Sequence, residues 1–262
     1  MADELLPQVA RIAAGEFVMG DEEGDQDERP RHRAYIDEFC IGSHAVTNAE
    51  YALFVRDTGH PSPAGRALPL MVSGALEAEF RTLASTYYWS NGTPPEGRDD
   101  HPVTLVGYHD AVAYCQWLAA RSGHPVRLPT EAEWERAARG GLVGKRYPWG
   151  DTLDVSRARF LPPDGLKEEG GTAPVRTYPP NGFQLYDMAG NVWEWVSDWY
   201  GPNYYELSQY QNPQGPDSGL MRIVRGGAWV NSDPRFLRCA YRHKVPPDSY
   251  AYSIGFRIAY SV

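Results

Sequence analysis

The chain has 262 residues, 42% hydrophobic and 23% charged, with a formal charge of −9 and a pI ≈ 5.3. A chain this long can bury roughly 70–75% of its unfolded surface. Its acidity disfavours nucleic acid and anionic membrane as partners. No apolar run approaches the ~20 residues of a membrane helix, and 26 Gly with 22 Pro argue against a helical bundle.

The acidic start, Met1-Ala2-Asp3-Glu4, has no apolar core of a secretory signal. Three cysteines, Cys40, Cys115 and Cys239, form no disulfide framework, so a reduced, cytoplasmic protein is expected. Residues Arg11 to Gly20 begin with an alternating strand pattern. The acidic run Asp21 to Glu28 reads as a solvated loop. Ala34 to Ile41 alternates again and reads as one strand.

Thr47-Asn48-Ala49-Glu50 is a capping box, and Tyr51, Phe54 and Val55 follow on one helix face until Gly59. Pro61 to Asp100 reads as a long loop region with short elements and scattered aromatics, the kind of segment that often carries function. Asp110 is expected to open a second helix, with Ala113, Tyr114, Trp117 and Leu118 on one side and Gly123 after it. Thr130-Glu131-Ala132-Glu133 is a second capping box, with Trp134 and Ala137 turned inward and Gly140-Gly141 at the end. Beyond Gly141, short strands alternate with Pro/Gly turns. Ile223-Val224-Arg225 and Phe256-Arg257-Ile258-Ala259 read as strands. The pattern predicts one α+β domain over residues 1–262, with a small antiparallel sheet, about three helices and much irregular structure.

Seven segments stand out in order: Ala14 to Gly20, Val46 to Tyr51, His101-Pro102-Val103, Arg127 to Glu135, Tyr147-Pro148-Trp149-Gly150, Asn181 to Tyr200, and Arg225 to the C-terminus. Together they resemble the formylglycine-generating enzyme/sulfatase-modifying-factor family, whose fold is a much-embellished C-type lectin with a twisted antiparallel sheet. In enzymes of that family, two cysteines bind copper(I) and oxidise a substrate cysteine, since thiolates suit a soft monovalent ion. The resemblance puts those cysteines two residues after Trp229 and five further on, where this chain has Asn231 and Phe236. Counting back from Arg238-Cys239-Ala240 gives Pro234 for the second. Cys239 matches a packing position, and Ala228 stands where the family favours Ser. The likeness therefore implies no copper and no formylglycine synthesis. It does imply one structural calcium held by Asp187, Gly190, Val192 and Glu194, whose oxygens suit a hard cation. A second family calcium site, after Trp149-Gly150, has no counterpart.

The seven histidines show neither helix spacing nor a His-Glu-x-x-His pattern, and no nucleophile elbow, P-loop or dinucleotide fingerprint occurs. Two functional classes follow. In the first, the chain is a non-catalytic module that binds a protein or small molecule through an exposed segment, Val230 to Ser253. The binding residues are then Trp229, Val230, Asn231, Ser232, Asp233, Phe236, Tyr241, His243, Ser249, Tyr250 and Tyr252, because Tyr gives contact area at low entropy cost while Ser and Asn adapt their hydrogen bonds. Relatives of this kind include variable proteins of diversity-generating retroelements. In the second class, the chain is a metal-dependent oxidative enzyme with other chemistry, using Trp193, Asn231, Arg238, Tyr241 and Arg242.

Overall fold

The computed structural model describes residues 6–63, 75–161 and 170–262. The expectations for Met1 to Glu4 and for the loop at 64–74 lie outside the described residues. In chain order the elements are β1 (Val9–Ile12), β2 (Gly15–Met19), β3 (His32–Ile36), β4 (Phe39–Gly42), α1 (Asn48–Thr58), α2 (Ala75–Ser85), α3 (Tyr108–Ser122), α4 (Glu131–Arg139), β5 (Trp193–Trp199), α5 (Tyr204–Leu207), β6 (Arg222–Arg225), β7 (His243–Val245), β8 (Ile254–Phe256) and β9 (Ala259–Ser261). This is the mixed α+β architecture that the sequence predicts.

Local chemistry sets the helix ends. Thr47 and Glu50 exchange bonds at the start of α1: Glu50 N–H donates to Thr47 Oγ1 at 3.2 Å, and Thr47 N–H to Glu50 Oε2 at 2.8 Å. Thr130 and Glu133 repeat the arrangement on α4 at 3.1 and 2.8 Å. Helix α3 opens two residues earlier than expected. Asp110 is not its cap but the third helical residue, and its carboxylate accepts the Gly107 N–H at 2.9 Å. Helix α2 is an addition, formed inside the stretch read as mostly loop.

Three sheets form among the described residues: β1-β4-β9, β2-β3 and β7-β6-β5-β8. All pairings are antiparallel except β5 with β8, which is parallel from Trp193↔Ile254 to Trp195↔Phe256. Two expected strands are each split. Ala34 to Ile41 breaks into β3 and β4, which pair with β2 and β1. Phe256 to Ala259 breaks into β8 and β9, which join different sheets.

The four-stranded sheet lies between two apolar cores, because adjacent strand residues face opposite ways. Trp193, Trp195 and Val224 join Tyr51, Phe54, Tyr114 and Leu118 of α1 and α3 on one face. Val196 and Ile223 join Trp134, Ala137 and Ala138 of α4 on the other. Among the described residues no helix is long and apolar enough to cross a membrane.

The acidic run is solvated at Glu22 and Glu23, as expected, but pinned at its end. Glu28 is fully buried and accepts from Arg238 Nη2 at 2.6 Å, and Asp27 Oδ2 accepts from Tyr200 O–H at 2.6 Å. Both partners lie in the C-terminal half of the chain.

Candidate functional site

Strand β6 ends at Arg225, a fully buried guanidinium. It donates to Glu135 Oε2 at 2.6 Å and to the carbonyls of Cys239, Ala240 and Tyr241 at 2.6, 2.9 and 2.6 Å. One side chain thus holds three successive carbonyls of the C-terminal segment. The chain then reverses through Gly226-Gly227. Gly227 has φ +75°, and a Cβ there would lie 2.9 Å from Leu237 Cδ2 and from the Phe236 carbonyl oxygen, so a side chain is excluded.

Asn231 closes the next turn. Its Oδ1 accepts the Ala228 N–H at 2.8 Å, its N–H donates to the Ala228 carbonyl at 3.0 Å, and its carbonyl accepts the Leu161 N–H at 3.0 Å. Asp233 Oδ1 accepts the Arg235 N–H at 2.9 Å and starts the short 3-10 turn Pro234–Leu237. The segment is therefore less exposed than expected. Ser232 and Asp233 are exposed, whereas Trp229, Val230, Asn231, Phe236, His243, Ser249, Tyr250 and Tyr252 are half-buried and Tyr241 is buried. The cause is aromatic packing. Phe236 meets Trp193 and Tyr241 with ring centroids 6.0 and 5.0 Å apart, and His243 stacks on Trp193 at 4.9 Å. Burial holds His243 below the usual imidazole range, with Lys244 adding to the effect. Ser249 N–H donates to the Pro246 carbonyl at 3.0 Å, and Tyr250 packs over Gly107.

Trp229, Val230 and Tyr252 line a different feature, a cleft of about 520 Å³, together with Tyr87, Phe160 and Glu79. The rings of Tyr87, Trp229 and Tyr252 form a triangle with centroid separations of 6.3, 6.0 and 5.7 Å. Tyr87 and Glu79 are missed by sequence reasoning. The available signal was the aromatic run Tyr87-Tyr88-Trp89 in a stretch otherwise rich in turn residues.

Of the alternative catalytic set, Trp193, Tyr241 and Arg238 come together and Arg242 turns away. Trp193 and Tyr241 meet at 5.9 Å, and the Arg238 Cζ lies 5.9 Å from the Tyr241 ring centre. Arg242 is buried and points to Glu131, donating from Nε and Nη2 at 2.8 and 2.9 Å. The three cysteines are buried free thiols, and burial pushes Cys239 up to about 12, which suppresses its thiolate.

The Asp187 to Glu194 turn carries positive φ at Asp187, Gly190 and Asn191. Asp187 Oδ2 accepts the Arg176 N–H at 3.1 Å, while its buried Oδ1 has no hydrogen-bond partner. Burial first, and Glu194 in addition, push the Asp187 carboxyl up to about 6. Glu194 accepts from Arg257 Nε and Nη2 at 2.6 and 2.7 Å and from Trp134 Nε1 at 2.7 Å.

Residues 2–262 match the model of the sulfatase-modifying factor enzyme 1-like domain. The chain belongs to the sulfatase-modifying-factor family. The formylglycine-generating enzyme of Streptomyces coelicolor is 41% identical, covering 95% of this chain and 88% of its own. Among solved structures, PvdO from Pseudomonas aeruginosa has a TM-score of 0.80 at 26% identity, covering 99% of this chain and 96% of its own. The Treponema denticola variable protein 1 has a TM-score of 0.74 at 23% identity, covering 96% and 94%, a likeness of fold.

In the frame of this family, the turn at Asp187 fits a hard cation on one side. Asp187 Oδ1 is an unpartnered buried oxygen, and a calcium ion there would share Glu194 with Arg257. Among the described residues no three His, Cys, Asp or Glu side chains gather into a metal cluster, so backbone carbonyls would have to complete the shell.

Proposed function

We propose that this member of the sulfatase-modifying-factor family is a non-catalytic binding protein whose C-terminal face, Trp229 to Tyr252, presents the binding surface. The observation that carries the reading is the aromatic cleft. It has the volume of a small-molecule site, four aromatic rings from three distant parts of the chain line it, and no cysteine does so among the described residues. Where the family resemblance would put thiols, Asn231 is engaged in closing a turn and Phe236 is packed on Trp193. Neither of these two positions offers the soft thiolate that copper(I) takes. The fold likeness to a variable protein supports a surface-display role, including a retroelement-diversified one.

Calcium belongs to the same proposal as a structural ion. Asp187 and Glu194 would give carboxylate oxygens, and Gly190 and Val192 would give carbonyls. The acidic charge and the free buried thiols support a soluble, reducing setting without nucleic acid or membrane as partner.

A copper(I) titration against a coloured copper(I) chelator tests the non-catalytic reading. The protein should withdraw no copper from the chelator. Retention of one equivalent, lost on mutation of Cys239 or another cysteine, overturns it.

A further inference from the structure

We infer that the cleft between α2 and the Trp229 turn takes a cationic amine carrying a planar aromatic ring, with the ring against Trp229 and the charge toward Glu79. The inference rests on the binding reading above and names the chemical class of the ligand.

Trp229 and Tyr252 are half-buried, so each keeps ring surface turned to the cleft, while Tyr87 behind them is buried. The rings lie within 43° of one another. The ring surface that Trp229 and Tyr252 leave open to the cleft favours flat, apolar groups and cations. Tyr87 already hosts a cation from the chain itself, with Arg98 Cζ 4.8 Å from its centroid. Trp229, the strongest cation acceptor of the three ring types, has none among the described residues.

Charge completes the argument. Glu79 is exposed on the cleft wall and acts electrostatically on Tyr252. Arg159 also lines the cleft and stays positive, with its Nε on the Gly171 carbonyl at 3.1 Å, so the amine is placed by Glu79 on α2. With a net charge of −9, the whole chain adds to the attraction for a cation.

Three phenols of the same ring and different charge test the inference: tyramine, N-acetyltyrosinamide and 4-hydroxyphenylacetate. Each is titrated against the full chain by tryptophan fluorescence and by calorimetry. Tyramine should bind saturably, about tenfold tighter than the acid, with the neutral amide between them. Glu79→Gln, an exposed change that leaves folding intact, should bring tyramine and the acid within about twofold. Trp229→Leu should abolish binding of all three, with circular dichroism confirming the fold. Equal affinity for amine and acid in the wild type, tyramine binding that survives Trp229→Leu in a folded protein, or no saturable binding of tyramine each overturns the inference. The binding reading itself fails by a different result, copper retention in the titration above.

Discussion

Glu194 grips Arg257 through two hydrogen bonds, from Nε at 2.6 Å and from Nη2 at 2.7 Å, with both side chains buried. Arg257 passes the constraint outward to the carbonyls of Gly42 at 2.9 Å and Tyr186 at 3.0 Å. This one ion pair therefore ties β5 to the ends of β4 and β8. Breaking a buried pair strands a charge, at a cost of about 3–5 kcal/mol. Glu194→Ala should lower unfolding stability in urea by that amount. A loss under about 1 kcal/mol would show the pair to be dispensable.

The orphaned Oδ1 of Asp187 makes calcium sensitivity measurable. A ligand bound only by the native state stabilises by mass action. Millimolar calcium should raise the melting temperature of the wild type relative to a strong chelator, and Asp187→Ala should remove the difference. A wild type indifferent to both additions would dismiss the ion.

Asp198 predicts a pH effect with a definite sign. It is buried beside Glu131, accepts from the Glu131 N–H and Ser197 O–H at 2.8 and 3.0 Å, and is pushed up to about 7 by burial first and Glu131 next. Between its ordinary value near 3.8 and about 7, the fold holds a proton that the unfolded chain has released. This group's contribution to stability therefore falls as pH rises through that window. Asp198→Asn should gain stability relative to wild type at pH 8, and the gap should narrow at pH 5.5. An unchanged or widening gap in paired thermal melts would contradict the assignment.

The C-terminal segment should divide sharply under mutation. Ser232 is exposed, and its replacement by Ala should change stability within about 0.5 kcal/mol. Phe236 packs on Trp193 and Tyr241, and Phe236→Ala should cost about 2–4 kcal/mol. Equal tolerance at both positions in chemical denaturation would mean that the aromatic cluster adds nothing.

Local chemistry was legible in the sequence and long-range pairing was not. The boxes at Thr47–Glu50 and Thr130–Glu133 announce α1 and α4 because every partner lies within three residues. Asp110 misled because the same carboxylate chemistry serves a cap or a third helical position, and only the backbone of Gly107 distinguishes them. The acidic run looked solvated to its end because the arginine that buries Glu28 lies 210 residues away. The split of Ala34 to Ile41 and the parallel β5–β8 pairing depend on which strand is the neighbour, and periodicity carries no such information. At the site, Trp229, Val230 and Tyr252 were named from sequence, but Tyr87 and Glu79 reach them only through the placement of α2. Arg242 was proposed as catalytic because nothing in a linear reading reveals Glu131 beneath it.

A protein of this family that binds without thiol–copper oxidation leaves the family's peptide substrate untouched. A peptide carrying Cys-x-Pro-x-Arg is incubated with the protein, copper(I), a thiol reductant and oxygen, then weighed by mass spectrometry. With Asn231 and Phe236 where the thiols would stand, the cysteine should emerge unchanged. Conversion of that cysteine to an aldehyde, above the level of a protein-free control, would show that the protein is an oxidase after all.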